Sequence, residues 1–338
     1  MKNILITGGA GFIGSNFAHY ILNKYNNISI IVLDKLTYAG NEENLSGIKE
    51  NNRFHFVKGD ICNVSLLKDI FLEYNIKGIF HFAAESHVDN SIDEPEIFVR
   101  TNVLGTFHLL ETAKSYWMKE PFKYNEKYED TCFLHVSTDE VYGSLGSEGY
   151  FTEETPYAPN SPYSATKAGS DMLVRSFYHT YGLNTIITNC SNNYGPNQHD
   201  EKLIPTIIRK ALLKENIPIY GDGKNIRDWL YVEDHCKALD IVFQNGRKGE
   251  VYNIGANCEK TNIEIAFKIC EILDELKPLD NKESYKEYIS FVKDRPGHDK
   301  RYAIDASKVI NELKWQAGTK FEKGIFSTIK WFMKKYRI

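Results

Sequence analysis

Residues 4–14 read Ile4-Leu5-Ile6-Thr7-Gly8-Gly9-Ala10-Gly11-Phe12-Ile13-Gly14, an apolar run followed by closely spaced glycines. A segment with helical periodicity follows directly. Between a strand and a helix, glycines such as Gly8, Gly11 and Gly14 let the backbone turn tightly, approach a pyrophosphate and pack the helix close to the strand. The helix N-terminus then points free N–H groups at the phosphates. The stretch therefore predicts a dinucleotide-binding loop.

Short apolar runs alternate with helix-period segments through the rest of the first half. The predicted strands are Asn3–Thr7, Ser29–Asp34, Phe54–Gly59, Gly78–Ala84, Thr131–Ser137 and Asn184–Cys190. The predicted helices are Gly11–Lys24, Ser65–Tyr74, Glu96–Tyr116 and Tyr163–Tyr181. This alternation is typical of a parallel sheet covered by helices on both faces. We therefore expect an α/β fold with a doubly wound Rossmann-type parallel sheet.

The pattern changes after Tyr194-Gly195-Pro196. There we predict helices over residues 203–215, 262–276, 306–313 and 321–335, and strands over 217–220 and 250–254. These elements predict a smaller C-terminal α/β lobe. The expected division is a Rossmann domain over 1–190, to which 228–255 returns, and a second lobe formed by 191–227 and 256–338.

Composition excludes several classes of protein. The net charge of −4 provides no general attraction to nucleic acid or to an anionic membrane surface. No apolar run approaches the roughly 20 residues that span a bilayer, and Met1-Lys2-Asn3 leads straight into the first strand without a signal peptide. The 6 cysteines are scattered with no C-x-x-C pair, so we expect buried thiols, no metal site and a cytoplasmic location.

Two acidic residues follow predicted strands where a dinucleotide would lie. Asp34 ends the second strand 20 positions after Gly14 and is placed to hydrogen-bond the adenosine ribose while repelling a 2′-phosphate. Asp60, followed by Ile61, ends the third strand and is a candidate contact for the adenine. These residues favour NAD over NADP, although Lys35 beside Asp34 weakens the exclusion of NADP.

A tyrosine and a lysine share one face of a predicted helix. Tyr163 and Lys167 stand four positions apart, about one helical turn. A free tyrosine has a pKa near ~10 and is a poor base at neutral pH. A neighbouring ammonium would stabilise the phenolate and lower that pKa. The pair, placed after the glycine loop, resembles that of the short-chain dehydrogenase/reductase superfamily.

Two carboxylates follow the fifth predicted strand. Ser137-Thr138-Asp139-Glu140-Val141-Tyr142-Gly143 lies at the carboxyl edge of the sheet, where ligands of such folds bind. A simple alcohol oxidation needs a base and a hydroxyl donor. Elimination of water also needs one group to remove a carbon-bound proton and another to protonate the leaving oxygen. Asp139 and Glu140 are candidates for those two roles.

Several segments together resemble a known family. They are Gly8–Ser15, Asp34–Asn41, Ala83–Asp89, Ser137–Gly143, Tyr163–Ala168, Asn189–Pro196, Glu201–Pro205, Ile226–Trp229 and Asp294–Asp305. They resemble the dTDP-glucose 4,6-dehydratases, nucleotide-sugar enzymes of the extended short-chain dehydrogenase/reductase superfamily. The resemblance covers nearly the whole chain. Its most discriminating element is Thr138-Asp139-Glu140, because 4-epimerases of the same fold lack the acid pair.

The resemblance implies a reaction and a role for each catalytic residue. Tyr163 would take the proton of the sugar 4-hydroxyl as C4 hydride passes to NAD, with Thr138 hydrogen-bonded to that oxygen. Glu140 would then remove the C5 proton while Asp139 protonates the departing 6-hydroxyl. Return of the hydride to C6 and of a proton to C5 would give a 4-keto-6-deoxy sugar. Such a cycle needs no net oxidant, so the cofactor would stay bound.

The resemblance also implies binding residues. Besides the glycine loop, Asp34, Tyr163 and Lys167, it places around NAD the residues Phe12, Ile13, Lys35, Thr37, Phe82, Ala83, Ala84, Thr101 and Asn193. For the nucleotide sugar it implies Ser86, Thr138, Asn192, Lys202, Leu203, Pro218, Ile219, Tyr220, Arg227, Asn262, Arg295 and His298. Arginine suits a pyrophosphate because its guanidinium binds in a bidentate manner, and Tyr220 is placed to stack on a base.

Two alternatives and a partner remain open at this point. The same chemistry on UDP-glucose uses the same acid pair, and the base pocket distinguishes the two substrates. A protein that senses NAD without catalysis is the second alternative, and the presence of Tyr163 and Lys167 argues against it. By family analogy, the helices Glu96–Tyr116 and Tyr163–Tyr181 would pair with a second subunit to form a homodimer.

Overall fold

The structure is a computed structural model that describes residues 2–280 and 283–337. Its strands, in chain order, are β1 (Lys2–Thr7), β2 (Ile28–Asp34), β3 (Phe54–Lys58), β4 (Gly78–His81), β5 (Met118–Glu120), β6 (Lys123–Tyr124), β7 (Cys132–Thr138), β8 (Thr185–Cys190), β9 (Asn192–Tyr194), β10 (Ile217–Tyr220), β11 (Ile226–Tyr231), β12 (Val251–Ile254), β13 (Glu259–Thr261) and β14 (Ile289–Val292).

The helices fall between these strands. They are α1 (Phe12–Lys24), α2 (Val64–Tyr74), α3 (Val88–Asp93), α4 (Pro95–Phe98), α5 (Thr106–Trp117), α6 (Pro162–Tyr181), α7 (Leu203–Leu212), α8 (Val232–Asn245), α9 (Asn262–Leu276), α10 (Ser307–Leu313) and α11 (Phe321–Lys335).

A seven-stranded sheet in the order β12-β8-β7-β4-β1-β2-β3 forms the larger part of the molecule. All of its strand pairs are parallel. One apolar core, which includes Phe17 of α1 and Leu239 of α8, covers one face, and a second core, which includes Phe71 of α2 and Val174 of α6, covers the other. The prediction of a doubly wound α/β sheet is confirmed. Strand β4 ends at His81 rather than at Ala84, because the chain leaves the sheet there to pass the glycine loop.

The segment predicted as one helix over Glu96–Tyr116 is interrupted. Between α4 and α5, residues Val99–Gly105 form a π-helical stretch. This wider turn contains the buried Asn102, whose side chain accepts a hydrogen bond from Glu85 N (2.9 Å) and donates one to Thr166 Oγ1 (3.0 Å). Asn102 thereby ties three segments together beside the sheet edge, and π-helical turns are often found at functional sites.

The smaller lobe has a core of its own. Helices α7, α9 and α11 pack with the three-stranded sheet β13-β11-β9 around an apolar cluster that includes Ile208, Ile269 and Ile329. Strand β11 belongs to this lobe, so the chain returns to the large sheet with α8 and β12 rather than at residue 228. Apart from that shift, the proposed division of the chain into two domains stays a prediction.

Helix α8 and strands β9, β11 and β13 were not predicted. In α8 the polar residues Asp234, His235 and Asp240 are buried with the apolar ones, which hides the helical period. All cysteines are free thiols, but Cys62 and Cys258 are only partly buried, so the expectation of buried thiols was wrong for these two. Within residues 2–280 and 283–337, the helices are too short or too polar to cross a membrane.

Candidate active site

The glycine loop joins β1 to α1 in a closely packed backbone. Gly8 has a φ of +67°, and a Cβ built on it would lie 2.6 Å from Ala83 N. A Cβ on Gly14 would lie only 2.4 Å from Gly8 O. Side chains do not fit at either position, so the loop passes close to the end of β4. The first N–H groups of α1 face the cleft beside it, where an anion is stabilised by the helix dipole.

Asp34 is held rigidly at the end of β2. Its buried carboxylate accepts hydrogen bonds from Ala10 N (2.9 Å) and Leu36 N (2.8 Å). Burial raises the pKa of Asp34, while the two N–H donors oppose that shift. Nearby, Lys35 forms an ion pair with Asp60 at 2.9 Å. Asp34 thus provides a fixed hydrogen-bond acceptor at the end of β2, and the charge of Lys35 is paired with the carboxylate of Asp60.

One cleft contains all of the predicted cofactor residues. It is lined by Gly8, Gly11, Phe12, Ile13, Gly14, Asp34, Lys35, Thr37, Asp60, Ile61, Phe82, Ala83, Ala84, Thr101, Tyr163, Lys167 and Asn193. A crowded glycine turn, an open helix N-terminus and a fixed strand-end carboxylate are the features a dinucleotide requires. The residues present therefore fit NAD. Within residues 2–280 and 283–337, we find no cluster of His, Cys, Asp and Glu side chains suited to a metal ion.

The predicted catalytic residues meet at the inner end of this cleft. Thr138 ends β7, and Asp139 and Glu140 lie in the 3₁₀ turn that follows. The Thr138 hydroxyl donates to Asp139 Oδ1 at 3.3 Å and accepts from Glu140 N at 3.3 Å. Tyr163 and Lys167 line the same cleft from the first turns of α6. A hydroxyl, two carboxylates, a phenol and an ammonium thus converge beside the glycine loop.

Asp139 and Glu140 have different electrostatic surroundings. Asp139 is buried, and desolvation together with the Glu140 charge raises its pKa well above the usual range. Glu140 is partly exposed to the cleft. Desolvation raises its pKa also, but Arg295, Arg227 and Lys202 oppose that shift with their positive charges. Asp139 is therefore the better proton donor and Glu140 the better acceptor, because environments that push two pKa values apart assign acid and base roles.

The expectation of a lowered Tyr163 pKa was wrong. Burial and the nearby Glu140 charge raise the pKa of Tyr163 well above its usual value. The Lys167 ammonium donates a hydrogen bond to Val136 O at 2.9 Å, and burial lowers the pKa of Lys167 itself. The two side chains share a helix face as predicted, but tertiary contacts direct the lysine toward the strand beneath.

The predicted substrate residues fall into two groups. Ser86, Thr138, Asn192 and Lys202 line the cleft with the catalytic residues, and Lys202 Nζ donates to Ser86 O at 2.8 Å. Outside that cleft, Leu203 begins α7, Pro218 and Ile219 lie in β10, and Asn262 begins α9. Ile219 is fully buried in the small-lobe core, so its side chain is not available to a ligand.

The remaining substrate candidates connect the two lobes. Asp89 of α3 accepts from Arg295 Nη1 (3.1 Å) and from Tyr220 OH (3.2 Å). The Tyr220 ring also meets the His298 ring edge-on at a centroid distance of 6.2 Å.

Arg227 is buried, donates to Asp299 O at 2.8 Å and lies 4.1 Å from the centroid of the Tyr302 ring. Its positive charge still acts on Glu140 and Asp139.

Several residues around this site were not predicted. His199 and Glu201 line the cleft, with the Glu201 carboxylate 3.6 Å from the His199 ring nitrogen. Glu201 belongs to the segment Glu201–Pro205, which resembles the family, and it precedes the predicted substrate residue Lys202. Its place in the site could therefore have been predicted from the sequence. Asp171 and His135 form a buried pair behind Lys167, with 3.1 Å between Asp171 Oδ1 and His135 Nε2. Their positions in the sequence gave no indication of this contact.

Fold and site together define a nucleotide-sugar-modifying member of the short-chain dehydrogenase/reductase class. The family model described as GDP-mannose 4,6 dehydratase matches residues 5–328. A dTDP-glucose 4,6-dehydratase of Xanthomonas campestris pv. campestris is 52% identical over 333 residues, which cover 98% of this chain and 93% of that protein. A second one, from Haemophilus influenzae, is 51% identical and covers 98% of each chain.

Solved structures show the same similarity. A Bacillus anthracis dTDP-glucose 4,6-dehydratase, solved in complex with NAD, has 48% identity and a TM-score of 0.87, covering 100% of this chain and 98% of that one. The chain therefore belongs to the dTDP-glucose 4,6-dehydratase family, and the resemblance drawn from its motifs is confirmed.

Proposed function

We propose that this protein is an NAD-dependent hydro-lyase that converts dTDP-glucose to dTDP-4-keto-6-deoxyglucose and water. The observation that carries the proposal is the adjacent pair Asp139 and Glu140, in the same cleft as Tyr163 and the glycine loop. An oxidoreductase that only moves hydride has no use for an acid and a base beyond the tyrosine. An elimination needs both.

The residues act in sequence on the sugar. Tyr163 accepts the proton of the 4-hydroxyl, and Thr138 hydrogen-bonds that oxygen. When bound in the cleft, NAD would supply the hydride acceptor for C4 and the hydride for C6. The 4-ketone acidifies the C5 proton, which Glu140 removes while Asp139 protonates the departing 6-oxygen. The departing oxygen leaves as water, C5 takes up a proton from Glu140 after that proton has exchanged with solvent, and solvent exchange returns Tyr163 and Asp139 to their starting protonation states.

The electrostatics of the site suit these roles. Burial and the Glu140 charge raise the pKa of Asp139, which favours the protonated form that an acid requires, and the Thr138 hydroxyl donates a 3.3 Å hydrogen bond to it. The cations Lys202, Arg227 and Arg295 keep Glu140 easier to ionise than Asp139. Because Tyr163 is buried with its pKa raised, its phenolate needs the positive charge of Lys167 one helical turn away.

NAD would be held along the whole cleft. The glycine loop and the N-terminus of α1 would bind the pyrophosphate, and Asp34 the adenosine ribose. Asp60 and Ile61 would contact the adenine, and Phe82, Thr101, Asn193 and Lys167, which line the same cleft, would bind the rest of the cofactor. A reaction without net oxidation favours a cofactor that stays bound between turnovers.

The nucleotide sugar would enter between the two lobes. Ser86, Asn192 and Lys202 lie beside the catalytic residues and would bind the glucose. Arg227 and Arg295 carry guanidinium groups suited to a pyrophosphate, and Tyr220 is exposed for stacking on the base. Leu203, Pro218, Ile219, Asn262 and His298 complete the proposed lining of this lobe, Ile219 through its backbone alone.

The test is turnover in heavy water without added NAD. Purified protein is incubated with dTDP-glucose, and in parallel with UDP-glucose, and the products are examined by mass spectrometry and proton NMR. We expect a 4-keto-6-deoxy product with deuterium at C5, formed faster from dTDP-glucose. Faster conversion of UDP-glucose would correct the substrate, and no conversion of either in the presence of NAD would refute the proposal.

We also propose that the protein is a cytoplasmic homodimer. Apolar side chains are exposed on α6 and on the continuous helical segment formed by α4, the π-helical stretch and α5. They include Val99, Leu104, Phe107 and Met172. Exposed apolar surface on two adjacent helices suits a helical interface with a second copy. The free cysteines suit a reducing compartment.

Charge placed on this surface should separate the subunits. Leu104→Glu combined with Met172→Glu is expected to give monomers in sedimentation velocity at micromolar concentration, because two carboxylates per subunit would lose water on association. Leu72→Glu, at an exposed leucine of α2, is the matched control and should leave the dimer intact. Dimers of unchanged stability in the double variant would move the interface elsewhere.

A further inference from the structure

A buried polar network lies behind the Tyr163–Lys167 pair, on the side away from the cleft. Asp171 follows Lys167 by one turn of α6 and is completely buried. Its Oδ2 accepts hydrogen bonds from Ser137 Oγ (2.7 Å) and Tyr157 OH (3.0 Å). Its Oδ1 lies 3.1 Å from His135 Nε2. None of the roles proposed so far uses this carboxylate.

The same ring nitrogen also faces the catalytic lysine. Lys167 Nζ lies 3.5 Å from His135 Nε2, so Lys167 and Asp171 flank one imidazole. Ser170 fixes the ring from a third direction at 3.3 Å. The protein interior therefore contains three neighbouring groups, the Asp171 carboxylate, the His135 imidazole and the Lys167 ammonium. Charge interactions are strong in such buried surroundings.

We propose that Asp171 is a positioning residue for the reaction, whose carboxylate charge beside the His135 ring holds the buried Lys167 side chain in its ammonium form. The proposal rests on the proposed function, in which Tyr163 needs that charge. Asp171 touches neither sugar nor cofactor, so it acts through Lys167 alone.

The other titratable groups around Lys167 do not supply the counter-charge. His135 on β7 and His81 on β4, whose rings lie 5.1 Å apart, have pKa values lowered well below the usual range by burial, so both stay neutral. Burial raises the pKa of Cys190 on β8 to about 12, so it also stays neutral. Asp171 has a pKa of about 6, raised by burial and opposed first by Lys167. It is therefore ionised at neutral pH.

The sign of the effect follows from these charges. Burial lowers the pKa of Lys167, and Asp171 opposes that shift. Removing the carboxylate charge leaves burial unopposed, so Lys167 loses its proton at a lower pH. A buried opposite charge at close range typically moves a pKa by about 1–3 units. The first half of the reaction should then fail at high pH and recover at low pH.

The test isolates oxidation at C4. With dTDP-6-deoxyglucose, which has no 6-hydroxyl to eliminate, the reaction stops at the 4-ketone, and reduced cofactor is followed by its absorbance in a stopped-flow instrument. In Asp171→Asn, the pH at which the oxidation rate begins to decline should be lower by at least about 1 unit. At pH values above this decline, the rate should therefore be about tenfold lower than that of the wild type. Near pH 6.5 the rate should return close to that of the wild type. Asp171→Ser, smaller and neutral, should show the same shift.

The matched control is Asp240→Asn on α8. Asp240 is also buried and paired with a lysine, at 2.6 Å from Lys24, but neither residue lines the cleft. Its pH profile should match the wild type even if the protein unfolds at a lower temperature. A uniform loss at all pH values in both Asp171 variants would show a merely structural role and overturn the proposal. If the wild type reduces no cofactor and converts no dTDP-glucose, the proposed function falls as well.

Discussion

Replacing Gly14 by alanine should weaken the binding of NAD in the cleft. The new Cβ would lie 2.4 Å from Gly8 O and 2.8 Å from Gly9 Cα, both backbone atoms that cannot rotate away. Ordinary contact needs about 1 Å more, so α1 or the loop must move by that distance. Displacement of about 1 Å in a positioned group can cost about 100-fold, or roughly 2.8 kcal/mol. We therefore expect NAD affinity to fall by about 100-fold.

The assay compares cofactor retained through purification, NADH affinity by fluorescence titration, and turnover of dTDP-glucose with and without added NAD. Substitutions at two other glycines serve as comparisons, with a smaller expected loss of NAD binding. In Gly11→Ala the Cβ would meet Gly8 O at 3.2 Å, which needs only a small adjustment, and in Gly146→Ala it would meet nothing within 4 Å. Full retention of NAD by Gly14→Ala, or equal losses in all three variants, would refute the reasoning from backbone contact.

Three further predictions concern the carboxylates of the cleft. Glu140→Gln keeps the side-chain shape but removes the base, so product formation should fall by about 10²- to 10⁴-fold while reduced cofactor accumulates at 340 nm; normal product formation would contradict the base role. Asp34→Asn should lower the affinity for NAD by about 10-fold and reduce the preference of the protein for NAD over NADP, because the carboxylate that repels a 2′-phosphate becomes neutral. An unchanged ratio of the two affinities in fluorescence titrations would exclude this role for Asp34. Because burial and the Glu140 charge raise the pKa of Asp139, its acid form should persist during dehydration of dTDP-glucose to a higher pH than an ordinary aspartic acid allows, and the part of the alkaline decline that comes from Asp139 should be missing from the pH profile of the low residual rate of Asp139→Asn.

The large sheet was predictable because most of its strands are buried on both faces. Strand β2 is buried along its whole length and contains the continuous apolar run Ile30-Ile31-Val32-Leu33. The small sheet gave no such signal, since β9 is Asn192-Asn193-Tyr194 and β11 contains Arg227 and Asp228. These polar residues are paired or buried only through contacts with distant parts of the chain.

The candidate site shows the same division. Its members could be predicted because strand ends of a parallel sheet meet at one edge, which brings Gly8, Asp34 and Thr138 together. The charge state of Tyr163 could not, because burial depends on neighbours from the whole fold. The π-helical turn at Asn102 depends in the same way on a contact with Glu85, and the pair Asp171–His135 joins a helix to a strand 36 positions earlier.

The return of β12 to the large sheet has a consequence for any shortened form of this protein. β12 occupies the outer side of β8, whose residues Thr185–Cys190 are all buried. A chain that stops near residue 190 would leave the hydrogen-bonding groups of β8 unpaired along an apolar edge, which is a template for self-association. The two lobes therefore cannot be divided by a single cut, and a fragment limited to residues 1–190 should aggregate, whereas adding residues 232–254 through a linker should restore a closed edge.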